Sequence, residues 1–118
     1  MSIKISIPVV EAAYELLRTT APFKAWKLPR ADEISFKLTG SKTDKGSCHV
    51  SAGREMYLLE VSQVCHHTLD ELLKTLAHEM CHLREFQLNV RKDVMHGKDF
   101  NRLADNVCRV HQYDRGMF

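Results

Sequence analysis

The apolar positions of this chain change period twice, from helical to alternating and back to helical. Behind Pro8, whose fixed φ suits the first turn of a helix, Val9, Val10, Ala13, Leu16 and Leu17 recur at helical spacing and predict an amphipathic helix ending near Thr19 and Thr20. Residues 21–30 hold Pro22 and Pro29 with Phe23 and Trp26 between them, which predicts a connection whose aromatics fold back onto the core. Alternation then takes over. Ile34, Phe36 and Leu38 alternate with Ser35 and Lys37, residues 40–46 read as a polar turn, Cys48, His49 and Val50 resume a strand, and residues 56–61 follow a break at Ala52 and Gly53. A small, mostly antiparallel sheet is expected.

Thr68 with Glu71 three residues later forms a capping box, in which hydroxyl and carboxylate satisfy the orphan amides of a helix start. Leu69, Leu72, Leu73, Leu76, Ala77, Met80 and Leu83 continue at helical spacing and predict a central helix to about Leu88. A charged loop with Asn89, Arg91, Lys92 and Asp93 follows. From Gly97 onward, Phe100, Leu103, Ala104, Val107 and Cys108 share one face of a further helix, and residues 113–118 read as an irregular tail. The expected class is α+β, with residues 1–118 forming a single domain.

Composition narrows the options. A chain of 118 residues with 44% apolar content buries enough surface for one core without disulfide staples and leaves no room for a second. Its formal charge of +2 is too small to announce a nucleic-acid binder, although it hides an acidic middle, net −3 over residues 48–83, between flanks of +3 and +2. Cys48, Cys65, Cys81 and Cys108 form no C-x-x-C pair, which argues for free thiols rather than a zinc ribbon or disulfide framework. No apolar run is long enough to span a membrane, and a reducing intracellular setting is expected, cytoplasmic, or nuclear in a eukaryote.

Chemistry concentrates in His78-Glu79-Met80-Cys81-His82, an H-E-x-x-H motif on the predicted central helix. Residues i and i+4 lie on nearly the same helix face, so the two imidazoles can converge on one ion. Glu79 lies about 100° around from His78, placed beside the ion to act as base toward a zinc-bound water attacking a carbonyl. Neutral imidazoles suit borderline-soft Zn²⁺. The bland alternative is a pair of half-buried helix histidines.

A catalytic zinc needs a third protein ligand and an open position. The extended pattern with glycine at position 85 and histidine at position 88 is excluded by Glu85 and Leu88. Glu85 faces the same side as His82 but is too near on one helix to close a tetrahedron easily. His96 is the stronger candidate, 14 residues past His82 and just before the helix that begins near Gly97.

The string from Leu72 to His82, followed by Met95-His96-Gly97-Lys98-Asp99-Phe100, resembles the SprT-like zinc metalloproteases: an H-E-x-x-H helix, a variable loop, then H-G-x-x-F opening another helix. The order of the upstream elements is similar too, so the resemblance covers roughly residues 8–112. It implies a zincin-like core in which His78, His82 and His96 bind zinc and Glu79 is the catalytic base. It also implies protein or peptide substrates, and a DNA contact of the kind used by members that cleave proteins crosslinked to DNA. Many members carry a cysteine-rich ribbon after the protease core. No such cysteines follow Cys108 here, so protease chemistry is expected without ribbon-borne DNA activation.

Other residues admit weaker readings. Tyr57, Tyr113 and His111 are candidates to steady an oxyanion, and spacing selects none of them. Asp93 and Asp99 are candidates to accept a hydrogen bond from a ligand imidazole. Cys81 reads as a packing residue. His49, His66, His67 and His111 read as surface or hydrogen-bonded residues, with the alternative that one of them lines the cleft. Lys24, Lys27, Arg30, Lys37, Lys42 and Lys45, interleaved with Phe23, Trp26 and Phe36, make either a groove for nucleic acid or, more simply, core aromatics among surface lysines. Two alternatives to the protease stand beside it: a non-catalytic, zinc-pinned module that binds DNA or protein, and another zinc hydrolase such as a nuclease.

Overall fold

Ser6 and Pro8 set where the first helix begins in the computed structural model, which describes residues 3–51, 53, 56–88 and 97–118. The Ser6 hydroxyl accepts from the Val9 amide at 3.4 Å, Pro8 sits in the first turn, and α1 (Ile7–Arg18) buries Val10, Ala13, Tyr14 and Leu17. Residues 21–30 fold back as expected, with Phe23 and Trp26 buried edge to face at 4.9 Å. Short 3-10 turns at Phe23–Trp26 and Ala31–Glu33 lead into the sheet.

The three strands form where alternation predicts them, as β1 (Ile34–Thr39), β2 (Gly46–Val50) and β3 (Tyr57–Ser62). Their pairing corrects the expectation of a mostly antiparallel sheet. The spatial order is β1-β3-β2, with β3 parallel to β1 from Ile34↔Tyr57 to Thr39↔Ser62 and antiparallel to β2 from Gly46↔Val61 to Val50↔Tyr57. The sheet is therefore mixed. Its physical reason lies in burial: β3 carries Leu59 and Val61, both fully buried, and takes the centre, whereas β2 offers Gly46, Ser47 and His49 and is left at an edge. The segment between β1 and β2 crosses the end of β3, where Ser62 donates from Oγ to the Ser41 carbonyl (2.6 Å) and from its amide to the Lys45 carbonyl (2.9 Å).

α2 (Leu69–Gln87) starts at the predicted cap: the Thr68 hydroxyl accepts from the Glu71 amide at 3.1 Å. The Glu71 carboxylate reaches one residue further back than a standard capping box, accepting from the His67 amide (3.3 Å) as well as from the Thr68 hydroxyl (3.1 Å). Leu72, Leu76, Met80 and Leu83 are fully buried on α2, each contributing roughly 1.5–3 kcal/mol relative to exposure. The back of the helix is fastened too, since Arg84 donates to the Trp26 carbonyl and Gln87 to the Lys27 carbonyl, both at 2.9 Å. α3 (Lys98–His111) buries Phe100, Leu103, Ala104, Val107 and Cys108, as its periodicity predicts. Residues expected to be an irregular tail instead form a 3-10 turn at Arg115–Met117. The architecture is α+β, with three α-helices around a three-stranded sheet among the described residues. No described helix is long and apolar enough to cross a membrane.

Candidate active site

The H-E-x-x-H motif lies on α2 where the helix passes the sheet beside β2. The rings of His78 and His82 stand 5.2 Å apart, as side chains one turn apart on one helix face must. Glu79 and His82 are each only 6% exposed, and His78 is half-buried. His78 and Glu79 line a cavity of about 440 Å³ together with Gly46, His66, Lys74 and Phe118.

Three neighbours hold the motif in place. The first is Glu85, itself 5% exposed, whose Oε1 lies 3.0 Å from His82 Nδ1. A carboxylate offers only acceptors, so the proton of this bond sits on Nδ1 and the lone pair of the ring is left on Nε2. The helical offset i, i+3 brings the two together. The second is Phe100 of α3, buried, with its ring 4.5 Å from that of His82 and 4.9 Å from that of His78. The third is β2: a Cβ added at Gly46 would stand 2.9 Å from the Glu60 carbonyl oxygen, 3.0 Å from Thr75 Cγ2 and 3.7 Å from Glu79 Cγ. Only glycine lets the strand come this close to the motif.

Of the four remaining histidines, His66 is the hydrogen-bonded one that lines the cavity. Placed between β3 and α2 and buried, it has Nδ1 3.0 Å from the Ser62 carbonyl and Nε2 2.8 Å from Thr75 Oγ1. The carbonyl can only accept, so Nδ1 donates to it and Nε2 of the neutral ring accepts from the threonine hydroxyl. Thr75 lies one turn before Glu79 on α2, so this pair ties the floor of the cavity to the sheet. A histidine just before a helix cap gives no signal of such burial.

The other candidates separate. His96 and Asp93 lie outside the described residues, and among the described residues no group of three or more His, Cys, Asp or Glu comes together as a metal cage. Asp99 pairs with Arg102 at 3.8 Å on its own helix, and the carboxylate at His82 is that of Glu85. Cys81 is fully buried and burial pushes its thiol well above the usual range, with Cys108 and Glu85 adding to the shift, so it remains a neutral packing group. All four cysteines are free thiols, Cys81 and Cys108 buried, Cys48 and Cys65 half-buried. Tyr57 lines a separate groove with Ser35, His49 and Met56. Tyr113 and His111 stack on each other at 5.5 Å, and burial raises the Tyr113 phenol, with Asp70 adding to it. Phe23 and Trp26 are core residues, and Phe36 packs edge-on to Tyr14 at 5.5 Å, which removes the first two from any base-stacking surface.

Comparison with known proteins decides the family. The model of the SprT-like family matches residues 13–115, from the middle of α1 to the turn after α3. The chain belongs to the SprT-like family. No curated protein matches it in sequence. The SprT-like match spans β2, β3, α2 and α3 and ends at Arg115, before Met117 and Phe118, which also line the cavity. The family is associated with zinc metalloproteases, so metallopeptidase-like chemistry is the common activity against which the SprT-like site is judged.

Proposed function

We propose that the chain is a zinc metallopeptidase with a zincin-like core, in which His78, His82 and His96 hold one Zn²⁺ and Glu79 moves the proton. The observation that carries this reading is the arrangement on α2: two imidazoles 5.2 Å apart on one face, with buried Glu79 beside them at the wall of the same cavity. The donor set fits the metal, because imidazole nitrogen is a preferred zinc ligand and Glu85 fixes the His82 tautomer that leaves Nε2 basic. His96 directly precedes Gly97, the N-cap of the helix whose Phe100 packs on both rings. Bound zinc supplies Lewis acidity, polarising the substrate carbonyl and acidifying water.

The chain's own residues supply the rest. β2 is an edge strand beside Glu79, so an extended peptide can pair with its outer edge through main-chain hydrogen bonds, which aligns a scissile bond along the motif. The Glu79 carboxylate takes a proton from the attacking water, holds it on one oxygen and returns it to the leaving amine nitrogen as the C–N bond breaks. Glu85 keeps the His82 ring from rotating. Family membership supports metallopeptidase-like chemistry, and protein substrates, DNA-associated ones included, are part of this proposal.

Glu79→Gln keeps the shape of the side chain and removes the base. The expected result is zinc near one per chain in both proteins, with peptide hydrolysis reduced at least about 100-fold in the variant. His96→Ala should lower zinc content. Undiminished proteolysis by Glu79→Gln overturns the mechanism. Cleavage of DNA or RNA without cleavage of protein would instead mark another zinc hydrolase, and zinc-loaded protein that binds DNA and cleaves nothing would mark a binding module.

A further inference from the structure

Met117 and Phe118 share the lining of the cavity with His78 and Glu79. A pinned segment carries them there. α3 stops at Gln112, whose left-handed φ of 61° turns the chain back, and the Tyr113 amide donates to the Cys108 carbonyl at 3.0 Å. Arg115 then reaches α3 twice, with Nε 2.7 Å from Asp105 Oδ1 and Nη2 2.7 Å from Asn101 Oδ1. Asp114 Oδ1 accepts from the Gly116 amide at 3.0 Å and closes the short turn. The Tyr113 ring stacks on Phe118 at 6.1 Å, under Lys74 Nζ at 5.8 Å from its centroid. The outcome is a Phe118 ring 5.4 Å from that of His78.

Among the described residues, the rest of the wall is polar apart from Gly46, with Thr43, Asp44, Lys45, Glu71 and Lys74 along it. Among the described residues, the large apolar side chains of the lining therefore come from this segment, and one of them, Met117, is 75% exposed. Pairing along β2 would use main-chain groups common to every peptide, so discrimination between substrates must come from side-chain subsites. We propose that Met117 and Phe118 are specificity-determining residues, forming an apolar subsite next to His78 and Glu79 that takes an apolar or aromatic side chain adjoining the scissile bond. The proposal rests on the peptidase reading above. Covering Met117 and the Phe118 face with such a side chain removes apolar surface from water, whereas an acidic or small polar side chain gains nothing there.

The test has two arms. Zinc-loaded wild type, Phe118→Ala, Phe118→Leu and Met117→Ala digest a peptide library, and mass spectrometry reads the residues flanking each cleaved bond. Wild type should enrich apolar or aromatic residues at one flanking position, Phe118→Ala should lose about tenfold of that preference in kcat/KM, and Phe118→Leu should keep most of it. In the second arm, Glu79→Gln protein binds two fluorescein-labelled peptides, one poly-Ser with a single Phe and one without, read by anisotropy, with and without Phe118→Ala. A Phe preference abolished by Phe118→Ala supports the subsite even if wild type cleaves nothing, an outcome that would sink the peptidase reading alone. An unchanged profile in Phe118→Ala and Met117→Ala, both folded by thermal unfolding, overturns the proposal. So does a uniform rise in cleavage of all peptides by Phe118→Ala, which would make the segment a plug.

Discussion

Nδ1 of His82 lies 3.0 Å from Oε1 of Glu85, and both side chains are buried. The bond fixes the tautomer and the rotation of one proposed zinc ligand from a position three residues away. Glu85→Ala is expected to weaken zinc binding about 10–100-fold, read by competition with a chromogenic chelator. Zinc held as tightly as in wild type would show that Glu85 does not orient the ring. Glu85→Gln retains a side-chain oxygen as acceptor and should fall between the two.

At Gly46 the sheet runs close against the motif, a Cβ there standing 3.7 Å from Glu79 Cγ. Gly46→Ala places a methyl 2.9 Å from the Glu60 backbone oxygen of β3, which cannot swing aside, and 3.0 Å from Thr75 Cγ2 of α2, so β2 must shift against both neighbours. The expected cost is about 1–3 kcal/mol of stability, seen as a lower urea midpoint with an unchanged slope. An unshifted midpoint would mean the strand has slack the structure does not display.

Thr75 serves two neighbours with different atoms, its hydroxyl facing His66 and its methyl facing Gly46. Thr75→Val keeps the methyl and leaves His66 Nε2 without that donor in a buried setting, at an expected cost of about 1–3 kcal/mol. Thr75→Ser keeps the hydroxyl and should lose less. Equal losses in chemical denaturation would show that shape, not the hydrogen bond, matters at this position.

Glu15 links α1 to the start of the sheet, accepting from the Ala31 amide at 2.7 Å and pairing with Arg18 at 2.6 Å. Burial raises its pKa, but the Arg18 and Ala31 hydrogen bonds and the Arg18 charge outweigh it and hold the carboxyl below its usual value. A carboxylate whose folded pKa is depressed stabilises the fold above the unfolded pKa, and that contribution is lost as pH falls through the folded one. Glu15→Gln should therefore lower the melting temperature at neutral pH, with the gap closing as pH drops from about 5 toward about 3. A gap independent of pH would assign the effect to packing.

Local signals in the chain were sufficient for the helices. Thr68 and Glu71, the leucine spacing of α2 and the Phe100 face of α3 depend on neighbours within one or two turns, and each element stands within a residue or two of its expected bounds. Strand positions were legible for the same reason, but strand partners were not: nothing within Tyr57–Ser62 says that β1 pairs on its other side. At the site, the i, i+4 histidines and the flanking glutamate follow from helical geometry alone. Glu85 is visible at i+3 from His82 yet reads as a competing ligand, because spacing cannot distinguish a residue that binds an ion from one that binds its ligand. Phe118 and His66 reach the cavity through tertiary turns, and no local pattern announces them.

Because β3 lies between β1 and β2, residues 43–45 belong to a bridge joining two strands that do not pair with each other. A hairpin turn is bound to the register of its two strands; this bridge is not. Lengthening or recharging it would redraw one bank of the cleft while both ladders kept their pairing. The fold thus leaves relatives a segment in which the rim of the site can diversify independently of the α2 motif.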